Sequence, residues 1–169
     1  MVGSSNSSNN DNNNNKSGKP ITKILVPVDG SETSMRAASL AVDVAGKYGA
    51  QIIVLHVINI DQYLQSIGAY RLSYPDPIKK RIEKARGEAA RWFGEIERNA
   101  EQNKVPVTFQ VIDTPLSVVA AIVNYAESEK ADLIVIGTRG RSGFAKLLLG
   151  SVASGVVTYA PCHVMVAKR

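Results

Sequence analysis

The sequence predicts an α/β protein built on one open parallel β-sheet with helices on both faces. Five short apolar runs alternate with segments whose apolar residues recur at helical spacing, the pattern of strands joined by crossover helices. The runs are continuously apolar, as strands covered on both faces must be. Glycines stand where strands end and helices open, at Gly30, Gly137, Gly140 and Gly150. No period of about 20–50 residues repeats, which excludes a solenoid.

Each element has its own signal. Ile24–Val28 is the first strand. The helix Ser31–Tyr48 follows, with Met35, Ala38, Ala41, Val42, Ala45 and Tyr48 on one side and Gly49 closing it. Gln51–Ile58 is a β-branched second strand. The connection Asn59–Pro77 carries Tyr63, Tyr70 and Tyr74, residues for a site entrance or a partner surface. A helix over about 78–102 places Ile78, Ile82, Ala85, Ala89, Trp92 or Phe93, and Ile96 on a core face. Val105–Ile112 is the third strand. Thr114-Pro115 predicts a helix start, because threonine caps and proline suits a first turn, with the helix running to Glu129. Leu133–Ile136 is the fourth strand, Gly150–Tyr159 a short helix, and Cys162–Ala167 the fifth strand. Residues 1–20 are mostly Ser, Asn, Gly and Lys; too little apolar surface offsets their ordering entropy, so a disordered tail precedes a single domain over 21–169.

Composition narrows the function. A chain of 169 residues suits one domain with a substantial core. No apolar run approaches the roughly 20 residues that span a bilayer, and the N-terminus lacks the apolar segment of a signal peptide. One cysteine excludes an internal disulfide framework and fits a reducing compartment, so the expected location is the cytoplasm, with no membrane partner. The net charge of +5 sits entirely in residues 130–169, where Lys130, Arg139, Arg141, Lys146, Lys168 and Arg169 face Asp132 alone. A polyphosphate is drawn to such a stretch. Nucleic acid fits less well, since no basic helix or aromatic-rich basic strand accompanies the charge.

Directly after Leu133–Ile136 the chain reads Gly137-Thr138-Arg139-Gly140, nine residues, then Gly150-Ser151. A buried strand ending in spaced glycines and reopening as a helix is how a backbone closely approaches an anion and offers it unpaired N–H groups. The spacing G-x2-G-x9-G-[ST] resembles the nucleotide-binding signature of the universal stress protein family, and is neither the dinucleotide nor the P-loop fingerprint. Pro27-Val28-Asp29-Gly30 resembles the family's first strand with its terminal Asp. Pro161-Cys162-His163-Val164-Met165-Val166 resembles its last strand after a proline turn.

The resemblance implies a Rossmann-like sheet of order 3-2-1-4-5, which sets the tips of the first and fourth strands side by side at a switch point where α/β sheets take ligands. It further implies an ATP site made of Pro27, Val28, Asp29, Val57, Ile136, Gly137, Arg139, Gly140, Arg141, Gly150, Ser151 and Val152. Val57 would lie against adenine, and the 137–141 backbone and the helix start would surround the triphosphate. Mg²⁺ or Mn²⁺ would be held mainly by the phosphates. Taken alone, Asp29 reads equally as a ligand acceptor or as a turn-forming residue capping the next helix. Ala153 stands where ATP-binding relatives often carry Ser or Thr, which removes one contact. The family also implies a homodimer through the fifth strand, whose Val164-Met165-Val166 has nothing to discourage edge pairing.

The resulting expectation is an adenylate-responsive regulatory protein. Two alternatives stand beside it: a dimeric interaction module that takes no nucleotide, and a slow ATPase or protein that phosphorylates itself on Ser151. No catalytic pair is evident, because Asp29 is the one carboxylate expected near the phosphates. His56, His163 and Cys162 lack partners at metal or redox spacing and read as structural, as does Trp92.

Overall fold

In the computed structural model, residues 20–61, 76–140 and 149–168 are described. The strands are β1 (Lys23–Pro27), β2 (Gln51–Asn59), β3 (Val107–Thr114), β4 (Leu133–Gly137) and β5 (His163–Ala167). The helices are α1 (Glu32–Tyr48), α2 (Asp76–Gln102), α3 (Val118–Ser128) and α4 (Ser151–Tyr159). The five strands form one sheet of order β3-β2-β1-β4-β5, parallel throughout. The expected order and architecture are therefore present.

Alternation along the central strands divides the core in two. Ile24, Val26 and Val28 face one side with Ile52 and Val54, and pack on Ala37, Ala38, Ala41 and Ala45 of α1 and Ile96 and Ala100 of α2. Leu25, Ile53, Leu55, Ile134 and Ile136 face the other side, against Ile122 and Ala126 of α3 and Ala153 and Val156 of α4. Small alanines on α1 let that helix lie close to the sheet, and close packing is what interior stability depends on. α1 and α4 thus leave the neighbouring tips of β1 and β4 toward opposite faces.

The helix ends follow local chemistry. Ser31 caps α1 by accepting from the Ser34 amide, and Gly49 closes it at φ +65°, a left-handed conformation that costs glycine little. Several boundaries shift by a residue or two from expectation, and two of the shifts have a visible cause. β3 runs from Val107 to Thr114 instead of Val105 to Ile112, because the Val105 amide is spent on Ala100 and the long β2 draws β3 onward through Ile58↔Asp113 and Asn59↔Thr114. α3 is capped by Ser117, whose hydroxyl accepts from the Ala120 amide at 3.2 Å. Thr114 is still in the strand, and its hydroxyl instead accepts from the Leu116 amide at 3.1 Å. The tyrosines at 63, 70 and 74, the 1–19 head, Arg141 and Lys146 lie outside the described residues.

Candidate functional site

The site is assembled at the C-terminal end of the sheet, where β1 stops at Pro27 and β4 at Gly137. Asp29 follows β1. Its Oδ1 accepts from the Ser31 amide at 3.0 Å, which fixes the turn into α1. Gly30 makes that turn possible at φ +77°. On the other side, a Cβ placed on Gly140 would stand 2.7 Å from Asp29 Oδ2. The two halves of the motif, far apart in sequence, are thus in contact at one crevice. Asp29 is both a turn former and a carboxylate at the crevice, one oxygen serving the turn and the other lying against the glycine loop.

The loop is tied down by α1. The Arg139 carbonyl accepts from the Thr33 hydroxyl and, at 3.4 Å, from the Ser31 hydroxyl. Gly137 has a packing reason of its own. A Cβ there would fall 2.7 Å from the Thr33 carbonyl atoms and 2.9 Å from the Ser34 amide nitrogen, so the first turn of α1 occupies that space.

Gly150 closes the loop by donating its amide to the Thr138 carbonyl at 2.7 Å. It is the N-cap of α4 and offers no side chain to the first turn. The amides of Ser151, Val152 and Ala153 therefore open the helix without a side-chain cap, the arrangement that draws an anion to a helix start. A Cβ on Gly150 would meet the Thr138 carbonyl oxygen at 3.3 Å and Arg139 Cα at 3.4 Å, so it would press on the loop.

The remaining expected residues sort by burial. Pro27, Val28 and Ile136 are buried at the strand tips and can meet a ligand only through their backbones. Val57 and Val152 are half-buried against the α3–α4 side of the core. Ser151 is exposed. The Arg139 Nε is buried with no hydrogen-bond partner among the described residues. A buried unpaired donor costs about 1–3 kcal/mol, a cost that an anion would remove. Ala153 is 3% exposed within the apolar cluster of Leu25 and Ile134, so a hydroxyl there would enter the core. The departure at that position therefore matters less than the motif suggests. Among the described residues, no three His, Cys, Asp or Glu side chains converge to hold a metal. A groove of about 590 Å³ runs between α1 and α2, but no residue of the glycine loop lines it.

Trp92 is the residue that sequence reasoning missed. Its helical spacing marks it as core, yet it is half-buried and lies against Gly30, where a Cβ would fall 2.1 Å from its indole ring. The one available signal was a bulky ring at a core position followed immediately by Phe93, of which one suffices for burial.

Fold and crevice together define an α/β protein with a glycine loop and an uncapped helix start at its switch point. The universal stress protein family model matches residues 20–168, and the chain belongs to that family. It is 33% identical over 150 residues to a universal stress protein of Methanocaldococcus jannaschii, covering 87% of this chain and 82% of that one. A universal stress protein of Thermus aquaticus is 34% identical over 149 residues, covering 86% of this chain and 97% of that one. Among solved structures, a universal stress protein from Lactobacillus plantarum superposes with a TM-score of 0.76 at 25% identity, covering 89% of this chain and all of that one. Two more distant relatives share the fold and hold nucleotides. One is a universal stress protein in complex with cAMP, with a TM-score of 0.66 at 22% identity and coverage of 89% and 99%. The other is from Archaeoglobus fulgidus in complex with dAMP, with a TM-score of 0.59 at 20% identity and coverage of 89% and 100%.

Proposed function

We propose that this protein is an ATP receptor that reports adenylate status through its conformation or choice of partner. One observation carries the reading: Asp29 and Gly140 meet within contact distance beside the uncapped start of α4. A carboxylate next to N–H donors suits a nucleotide, whose ribose or base offers hydrogen-bond donors while its phosphates accept. In this reading the 138–140 backbone and the amides of Ser151 and Val152 receive the phosphates, and Arg139 adds charge. The nucleotide complexes of the relatives support the ligand class. ATP brings a divalent cation, Mg²⁺ or Mn²⁺, which takes its ligands mainly from the phosphates and neutralises part of their charge. Hydrolysis is no part of the proposal, because the residues placed at the crevice act by holding the nucleotide.

Binding to the native state alone stabilises it by mass action, by about 2.7 kcal/mol at a hundredfold excess over Kd. Saturating Mg·ATP is therefore expected to raise the melting temperature. An unmoved melting curve with both ATP and ADP would sink the proposal and favour the interaction module that takes no nucleotide.

A homodimer through β5 belongs to the same reading, and the cytoplasm is its setting. β5 is an edge strand, and Met165 on it and Val157 and Tyr159 on α4 are exposed apolar residues. An uncharged edge of this kind is a template for pairing with a second chain. Light scattering is expected to give a dimer mass, and Val164→Lys a monomer. A parent of monomer mass at working concentration would refute the dimer.

A further inference from the structure

We propose that Trp92 is a positioning residue of the nucleotide site: its indole props the Asp29–Gly30 turn and so sets where the Asp29 carboxylate stands. The inference rests on the nucleotide reading above and adds a residue that acts through Asp29 without itself contacting ligand.

Asp29 is held through the residues on either side of it. The Val28 carbonyl before it is 2.8 Å from Nδ1 of the buried His56. Gly30 after it lies against the indole, where a Cβ would fall 2.1, 2.2 and 2.6 Å from Cε2, Cζ2 and Nε1 of Trp92. The two supports touch each other. The His56 and Trp92 rings meet edge to face, with centroids 5.3 Å apart and planes at 79°. On a third side Asp29 Oδ2 lies against Gly140. The turn therefore has one height at which it clears the indole and still closes on the glycine loop.

Core packing alone does not account for Trp92. Its neighbour Phe93 does that work, stacking on Phe109 of β3 with centroids 4.8 Å apart. Trp92 points its large ring to the sheet's C-terminal end and remains half-buried there, where a smaller apolar residue would fill the core as well and fail to reach the turn. Without that ring, Gly30 in its left-handed conformation has freedom to sink toward α2 and carry Asp29 away from the loop. Trp92 is also the one tryptophan of the chain, so its emission reports on the turn it supports.

The test is a double-mutant cycle, with Mg·ATP affinity measured by calorimetry and folding by circular dichroism. Trp92→Ala is expected to weaken ATP about tenfold in the parent and less than about twofold on the Asp29→Ala protein, because coupled residues are not additive. Trp92→Phe, which keeps a ring beneath the turn, is expected to recover most of the loss. ATP is expected to change the parent's tryptophan emission at saturation. If Trp92→Ala does not fold, Trp92→Leu takes its place in the cycle, since it keeps apolar bulk in the core without a ring that reaches the turn. Equal losses with and without Asp29 would show a merely structural indole and overturn the proposal, as would an unchanged affinity or an emission indifferent to ATP. A parent that gives no calorimetric signal with ATP overturns the nucleotide reading itself, a failure distinct from an additive cycle in a protein that binds.

Discussion

The two ends of the sheet each carry an aspartate beside β1 and β4, and the two are used in opposite ways. At the N-terminal end Asp132 is 8% exposed, and its Oδ2 accepts from the Thr22 amide at 2.9 Å, the Thr22 hydroxyl at 2.8 Å and the Lys23 amide at 3.1 Å. Its own amide returns to the Lys23 carbonyl at 2.9 Å, and Lys23 Nζ reaches the Glu129 carbonyl at 2.8 Å. Three of the protein's own donors thus converge on that one oxygen. Cys162 and His163 lie there beside Asp132 around a cavity of about 350 Å³, and burial, with a smaller push from Asp132, raises the Cys162 thiol above its ordinary range. A thiol kept protonated is a poor nucleophile. At the C-terminal end Asp29 Oδ1 accepts from the Ser31 amide, and Gly30 and Gly140 lie beside the carboxylate. The Asp132 oxygen that gathers three of the chain's own donors is a structural tie, whereas the Asp29 oxygen lies against a glycine loop.

The sharpest way to break this contrast is at Gly150. In Gly150→Val a branched side chain must enter where even a Cβ is 3.3 Å from the Thr138 carbonyl oxygen, so the 138–140 loop is driven from the start of α4. ATP affinity is expected to fall below calorimetric detection while far-UV circular dichroism keeps its native shape, because neither core cluster includes Gly150. A folded variant that binds like the parent would put the phosphates elsewhere.

The opposite end gives the complementary result. Asp132→Ala removes an acceptor shared by three donors, and a hydrogen bond to a charged group is worth about 1.5–3 kcal/mol, so urea unfolding is expected to show a loss of about 3 kcal/mol. ATP affinity of the folded variant is expected to match the parent. A variant of full stability and impaired binding would reverse the assignment of the two ends.

The contrast also explains what could be read in advance. Strand order came from the family resemblance, and the alternation of apolar runs already demanded a parallel sheet. The meeting of Asp29 with the glycine loop followed from the strand order that the resemblance implies, and Gly140 and Gly150 stand out because a backbone that approaches an anion needs glycine at particular spacings, which survive in a linear text. The Gly30–Trp92–His56 contact was not legible. It joins three elements, and on α2 the spacing of Trp92 is that of an ordinary core residue. The cap of α3 misled for a local reason: Thr114 and Ser117 are both good caps, and only the pairing of Thr114 with Asn59 decides between them. The spacing marks Gly137 as a ligand residue; its packing against Thr33 is a second reason for glycine there and depends on how closely α1 crosses β4, which no spacing rule contains.

The smallest expected effect separates the backbone of the α4 start from its side chain. Ser151 is exposed and is the first residue of the helix, so its hydroxyl can add one donor to those the amides supply. Ser151→Ala leaves the amides in place and is expected to weaken ATP by about 1 kcal/mol, roughly a fivefold rise in Kd, the net worth of one hydrogen bond. Helix propensity works in the variant's favour, so its melting temperature without ligand should not fall. Calorimetry on parent and variant measures the difference directly. A loss as complete as that of Gly150→Val would mean that the serine side chain, and not the helix backbone, holds the phosphates. No loss at all would leave the amides as the sole donors there, and the last letter of the motif would then mark a helix start and nothing more.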